Sequence, residues 1–193
     1  MSLELIVGCM FSGKTSEIIK SVNRLSVIDK NVLLINSKLD ERYDTNKICS
    51  HNNNKLDCIC VNKLNEIPTE KYTECEYIIV DEGQFFEDLY DFVTTATDLN
   101  NKHVIVVGLN GDSNRANFGD IHRLYPFADK INLLTAMCIT CKDGTPGIFS
   151  KKITNDTNQT DTNQTDTNQT DTNQTDIGST DKYIPVCRKC FNK

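Results

Sequence analysis

The chain of 193 residues carries 27 acidic against 21 basic side chains, a formal net charge of −6, and nine cysteines. That length suffices for one well-buried core with a small appendage. The acidic balance without a Lys/Arg cluster argues against a nucleic-acid binder, and no apolar run approaches the roughly 20 residues that cross a bilayer.

The opening residues MSLELIVGCMF run directly into an apolar strand without a basic leader. They read as neither signal nor transit peptide, so the expected compartment is reducing, cytoplasmic or nuclear. There, an odd set of cysteines with only four at regular spacing fits metal ligation plus buried thiols rather than a disulfide framework.

In chain order, residues 3–7 (LELIV) predict a strand, and residues 14–28 a helix burying Ile18, Ile19, Val22, Leu25 and Ile28 at a spacing near 3.6. VLLIN (32–36) predicts a strand buried on both faces, LDCICV (56–61) a weaker one, and YIIVD (77–81) a third apolar strand ending on acid. Residues 86–99, with Leu89, Phe92, Val93 and Ala96, predict an amphipathic helix; HVIVVGL (103–109) and INLL (131–134) predict two more strands. Strands alternating with helices imply an α/β domain over residues 1–135 with a mainly parallel sheet. The remainder, 136–193, has too few apolar side chains for a core of its own.

The run Gly8-Cys9-Met10-Phe11-Ser12-Gly13-Lys14-Thr15 fits G-x-x-x-x-G-K-[ST] between a strand and a helix, the context a phosphate loop requires. Its backbone N–H groups and the helix N-terminus converge on phosphate oxygens. Lys14 is expected to reach the β- and γ-phosphates and Thr15 to offer its hydroxyl to Mg²⁺. The competing reading is a chance match in a glycine-containing turn; Cys9 reads as a small residue lending backbone.

Asp81 and Glu82 stand together at the end of an apolar strand, the edge of an open α/β sheet where ligands sit. Asp81 is the expected Mg²⁺ partner. Glu82 could orient a water for an NTPase or take a proton from a substrate hydroxyl for a kinase; alternatively both acids cap the following helix. Next come Gly83, Gln84, Phe85 and Phe86. A ring at Phe85 with the Gln84 amide beside it suits a nucleobase, and Gln84 is grouped with the ATP/Mg²⁺-binding residues; Phe86 reads as core.

Cys138-x2-Cys141 and Cys187-x2-Cys190 have the spacing of a closed, structural, all-cysteine zinc site, separated by an unusually long segment. Cys9, Cys49, Cys58, Cys60 and Cys75 read as buried thiols. Between the pairs, residues 157–176 are four copies of TNQTD. With no apolar surface to offset ordering entropy, the stretch 154–176 is expected to be disordered. Asn155, Asn158, Asn163, Asn168 and Asn173 form N-x-T sequons, which would suit a secreted stalk; without a leader they are not expected to be glycosylated.

Taken together, GCMFSGKT, the D-x-R-Y at Asp40 to Tyr43, DEGQFF, Leu109-N-G, the N-R-x-x-F-G ending at Phe118 and Gly119, LTAMCITC, FSKK and DKYIPVCRKC closely resemble the cytosolic, or type II, thymidine kinases. The resemblance implies a RecA-like P-loop α/β domain plus a small four-cysteine zinc-ribbon domain carrying a lasso-like substrate loop. It implies transfer of the γ-phosphoryl of ATP to the 5′-hydroxyl of thymidine or deoxyuridine, a homotetramer, and feedback inhibition by dTTP. By position, Gly8 to Thr15 would cradle the phosphates, Asp40 and Arg42 would sit beside that loop, Asp81 would serve Mg²⁺ and Glu82 would be the general base. Met10, Phe85, Leu109, Phe118 and Tyr183 would line the thymidine pocket, with Ile177 and Gly178 on the returning limb of the lasso and Ser150 on its outgoing limb. The departures are the last repeat unit, which replaces the residues usual just before Ile177, and the end three residues after Cys190. That end implies absence of the C-terminal tail of animal members.

The rival from another class is a P-loop NTPase whose zinc appendage binds nucleic acid. The missing basic patch argues against it.

Overall fold

The computed structural model describes residues 1–40, 47–49, 55–153 and 182–193. Its centre is a six-stranded sheet ordered β5-β2-β6-β7-β1-β8, from β1 (Ser2–Gly8), β2 (Val32–Ser37), β5 (Ile59–Val61), β6 (Tyr77–Val80), β7 (His103–Leu109) and β8 (Lys130–Leu134). Every pairing in it is parallel. All six strands therefore end at one edge. The short antiparallel pairs are β3 (Lys47–Cys49) with β4 (Lys55–Asp57), β9 (Ala136–Met137) with β10 (Pro146–Gly147), and β11 (Phe149–Lys152) with β12 (Tyr183–Val186).

Parallel strands covered on both faces are continuous apolar runs, because alternate side chains enter different cores. Leu5 and Val7 of β1, Leu33 and Ile35 of β2, Ile78 and Val80 of β6, and Val104 and Val106 of β7 enter one core. Leu89 and Val93 of α3 (Leu89–Thr94) cover it, together with Phe86, Ile121 and Leu124. Ile6, Leu34, Ile79 and Val107 enter the opposite core, where Ile18 of α1 (Lys14–Ser26) is fully buried and Val22 packs partly.

Three predicted elements change. Helix α1 ends at Ser26, so Ile28 is exposed rather than buried; Asp29 at φ 53° reverses the chain there. The strand expected over 56–61 is two. β4 pairs antiparallel with β3, and β5 joins the main sheet beside β2. Side-chain alternation continues across the break, with Leu56, Cys58 and Cys60 on one core and Ile59 and Val61 on the other. Periodicity reports faces, not pairing partners, so it could not show the switch.

The helix expected over 86–99 starts at Leu89 and widens into a π-turn over Thr95–Leu99. Asp88 does not cap it. Its carboxylate accepts the backbone N–H groups of Leu64 and Asn65 at 3.1 and 3.0 Å, the start of a neighbouring 3₁₀ turn. Downstream, the Thr94 and Thr97 hydroxyls donate to the carbonyls of Tyr90 and Val93, each at 2.9 Å, a local competition with the helical ladder.

Beyond β8, a small cluster of Cys138, Val186, Cys187 and Cys190 forms with Cys141, Phe149, Ile184 and Phe191 packed around it. Four of these eight residues are cysteines. Helix α4 (Arg188–Phe191) carries the last of these thiols, and α2 (Thr69–Glu74) buries none of its residues fully, only Tyr72 packing partly on the main core.

Candidate functional site

The turn after β1 is shaped by left-handed backbone at Phe11 (φ 63°) and Gly13 (φ 87°). Gly13 adopts that conformation without the steric cost other residues meet. No side chain caps the start of α1, so its first turn presents backbone N–H groups and positive helix-dipole potential. Lys14 lies across the loop, its Nζ donating to the carbonyls of Gly8 and Cys9 at 3.3 and 3.0 Å. Ser12 Oγ is a buried hydroxyl without a hydrogen-bond partner among the described residues. Left-handed glycine, uncapped helix and orphaned hydroxyl together suit an anionic, phosphate-bearing ligand.

The acids converge on the same sheet edge. Asp40 follows β2 and is 7% exposed, accepting the Asn36 amide at 3.3 Å. Asp81 follows β6 and is equally buried from solvent; its backbone N–H donates to Ile35 at 2.8 Å, stitching the ends of β2 and β6 together. The Asp81 carboxylate accepts the Glu82 N–H at 2.9 Å. Glu82 is buried at φ 50°, a backbone region rare for a non-glycine residue and common at functional sites. Neither acid caps a helix with its side chain: Glu82 precedes the 3₁₀ turn Gly83–Phe85 without a side-chain cap, and Asp88, not Asp81, precedes α3. Two adjacent buried carboxylates near a cationic loop have the donor set for a hard divalent cation.

That turn separates the two phenylalanines. Phe86 is 1% exposed and belongs to the core. Phe85 meets Phe118 edge to face, centroids 5.5 Å apart at 89°, and both rings are half-buried. Leu109, the last residue of β7, is likewise half-buried, and its N–H donates to Gln84 Oε1 at 3.1 Å. Gln84 is buried, and its Nε2 donates to Glu82 Oε2 at 2.5 Å. The Gln84 amide thus faces the acid and the end of β7.

Sulfur atoms of Cys138, Cys141, Cys187 and Cys190 all lie within 4.8 Å of one another. Cys141 Sγ is 3.6 Å from Cys187 and 3.3 Å from Cys190. Four thiolates around a tetrahedral zinc at about 2.3 Å stand about 3.8 Å apart, so the donor set fits that ion. Backbone N–H groups, that of Cys141 foremost, hold the Cys138 thiol down to about 6, whereas bonding to Cys190 and the other thiols pushes Cys141 up. A crowded sulfur set with one easily formed thiolate is chemistry a cation would relieve.

Strands β10 and β11, which lie between the two cysteine pairs in the chain, touch the Gly8–Thr15 loop. Met10 N–H donates to Ser150 Oγ of β11 at 3.0 Å, and Cys9 Sγ donates to the Gly147 carbonyl of β10 at 3.1 Å. Burial pushes the Cys9 thiol up. Arg115, at φ 66° in the loop leading to Phe118, sits 5.5 Å from the Phe149 ring and 4.4 Å from that of Phe191. Arg188 lies 5.1 Å from the Phe149 ring. The sequence places Cys9 in the Gly8–Thr15 motif as a residue lending backbone and Arg115 in the N-R-x-x-F-G motif without a role of its own; neither motif announces these contacts, because each reaches across the chain.

Tyr183 begins β12 opposite Lys152 and is half-buried. Arg42, Ile177, Gly178 and the whole TNQTD run lie outside the described residues, as does the Cys49 side chain. Cys58 and Cys75 are buried as expected, while Cys60 is only half-buried. Among the described residues no helix is long and apolar enough to cross a membrane.

The thymidine kinase family model matches residues 1–191. The chain is 35% identical over 192 residues to a thymidine kinase of Oryza sativa subsp. japonica, covering 97% of this chain and 65%, just under two thirds, of that longer protein. It is 34% identical over 194 residues to the thymidine kinase of Fowlpox virus (strain NVSL), covering 98% of this chain and 96% of the viral protein. Against that of Amsacta moorei entomopoxvirus the identity is 35% over 200 residues, covering 100% of this chain and 98% of the relative.

Proposed function

This chain belongs to the thymidine kinase family, and from that premise we propose how its residues divide the reaction. The enzyme is a thymidine kinase, moving the γ-phosphoryl of ATP to the 5′-hydroxyl of thymidine, with deoxyuridine as a second acceptor, to supply dTMP for DNA synthesis. The observation that carries the division of roles is one sheet edge. There the Gly8–Thr15 loop follows β1, buried Asp40 follows β2, and buried Asp81 and Glu82 follow β6 with Phe85, which touches Phe118, in the next turn.

Residues Gly8 to Thr15 cradle the triphosphate, with Lys14 on the β- and γ-phosphates. Asp40 and Arg42 stand beside the transferred group. Thr15 and Asp81 would hold Mg²⁺, which when bound spreads the charge on the transferring phosphoryl. Glu82 accepts the 5′-hydroxyl proton as that oxygen bonds to the γ-phosphorus and the bond to ADP breaks. Phe85 stacks on the base, while Met10, Leu109, Phe118 and Tyr183 close the pocket. Ile177 and Gly178 contribute from the returning limb of the lasso.

The four cysteines would hold a structural zinc, making residues 136–193 a zinc and lasso domain beside the P-loop domain of residues 1–135. The enzyme works in the cytoplasm as a homotetramer, is inhibited by dTTP, and needs neither nucleic acid nor membrane. ADP release measured with and without nucleoside tests the acceptor: it should depend on thymidine. Turnover that ignores thymidine would mark an NTPase instead.

Chelating zinc should weaken thymidine binding before it unfolds the α/β domain. The Arg115 loop leans on the ring of Phe191, beside Cys190, and the phosphate loop leans on β10 and β11. Titrating chelator while following thymidine affinity and the main unfolding transition checks the order; simultaneous loss of both contradicts it. Deleting three TNQTD units should leave zinc content and turnover nearly unchanged. Loop closure costs only about 0.6 kcal/mol per doubling of length, whereas a structural zinc site contributes about 10–16 kcal/mol. A large rise in the thymidine KM would instead assign the repeat a part in the lid.

A further inference from the structure

We infer that Gln84 is a positioning residue that fixes the carboxylate of Glu82 for proton transfer, a role that rests on Glu82 being the base. The amide has only one workable orientation. Its Oε1 lies 3.1 Å from the N–H of Leu109, and only an acceptor satisfies that donor, so the Nε2 donor must face Glu82. It does, 2.5 Å from Oε2. Hydrogen bonds to a carboxylate are among the stronger ones, and this pair is buried.

The support behind the amide is rigid. Leu109 ends β7, whose pairing with β6 runs to Val80 opposite Val106. A Cβ on Gly108 would stand 2.5 Å from Gln84 Oε1, so a glycine there leaves the amide its seat. At the other end, the left-handed backbone of Glu82, with its N–H held by Asp81, sets the direction in which that carboxylate leaves the chain. With the backbone set on one side and Oε2 held on the other, rotation of the carboxylate is stopped. The same 3₁₀ turn carries Phe85, whose place is set by its own N–H on the Glu82 carbonyl and by its edge-to-face contact with Phe118, not by the Gln84 amide. Gln84 therefore serves the acid rather than the nucleotide directly.

A bracket that only joined β6 to β7 would be needed for folding and indifferent to Glu82. Kinetics separate the two. Gln84→Met, similar in length and without donor or acceptor, should lower kcat by about 10- to 100-fold, the scale of a small misplacement of a reacting group. The KM values for thymidine and ATP should stay within about threefold. In a Glu82→Gln background the same change should cost less than about threefold, because groups acting through one another are not additive. Should Gln84→Met fail to fold, Gln84→Asn keeps the amide but is one methylene too short to reach both Leu109 N–H and Glu82 Oε2, and should show the same kcat loss and the same non-additivity. An unchanged kcat, a loss confined to KM, or full additivity with Glu82→Gln overturns the proposal. Full activity in Glu82→Gln alone overturns the base assignment itself, and is measured first.

Discussion

Lys14→Ala is expected to abolish phosphoryl transfer, with a loss of about 10³-fold or more in kcat/KM, the scale of removing a preorganised charge from a developing anion. The protein carries a net charge of −6, and Asp40, Asp81 and Glu82 crowd the same edge. A triphosphate entering there needs concentrated positive potential, and Lys14 supplies the charge within the loop. The backbone N–H groups and the start of α1 cannot replace it, because they carry partial charges only. Fold should survive, since Lys14 is not among the core residues and its Nζ bonds to the Gly8 and Cys9 carbonyls within the loop itself. The measurement is ADP release at saturating thymidine, with a thermal melt alongside. Lys20→Ala is the control: it sits on the same helix in an exposed pair with Glu17 at 3.2 Å, a class of interaction worth little. Retained transfer in Lys14→Ala at parental ATP concentrations would remove the phosphate loop from the mechanism.

The sheet was readable because its strands are covered on both faces. LELIV, VLLIN, YIIVD and HVIVVGL need only local apolar content to be found, and each stands within a residue or two of where it was expected. Helix ends were less legible. Asp88 directly precedes α3 but binds the backbone of Leu64 and Asn65, which the sequence could not disclose because the partners are 24 and 23 residues away. The site follows the same division. Gly8 to Thr15 and the two C-x-x-C pairs are local patterns, visible as spacing. The links that join them, Met10 to Ser150, Cys9 to Gly147 and Arg115 to Phe191, span the chain and carry no local mark. Gln84 was seen as an amide near a ring, but its partner on β7 is 25 residues on, and that partner decides which way the amide faces.

Glu82→Gln is expected to lower kcat by about 10²- to 10⁴-fold, the usual contribution of a positioned general base, while ATP affinity changes little. The substitution keeps the size of a buried side chain and leaves an oxygen able to accept from Gln84 Nε2, so the 2.5 Å contact and the turn it braces can persist. What disappears is the capacity to take a proton. The left-handed φ of 50° at this position is borne by the turn around it, through the Asp81 carboxylate on the Glu82 N–H and the Glu82 carbonyl accepting from Phe85 N–H at 3.0 Å. Both are backbone contacts of residue 82 and are blind to the side-chain change. A loss of kcat with parental ATP affinity, read by steady-state kinetics and calorimetric titration on the same preparation, therefore isolates the proton transfer from binding and from folding. If Glu82→Gln binds ATP as the parent does and also turns over as the parent does, the proton leaves the 5′-hydroxyl by another route, and the buried carboxylates at this edge serve only the metal and the fold.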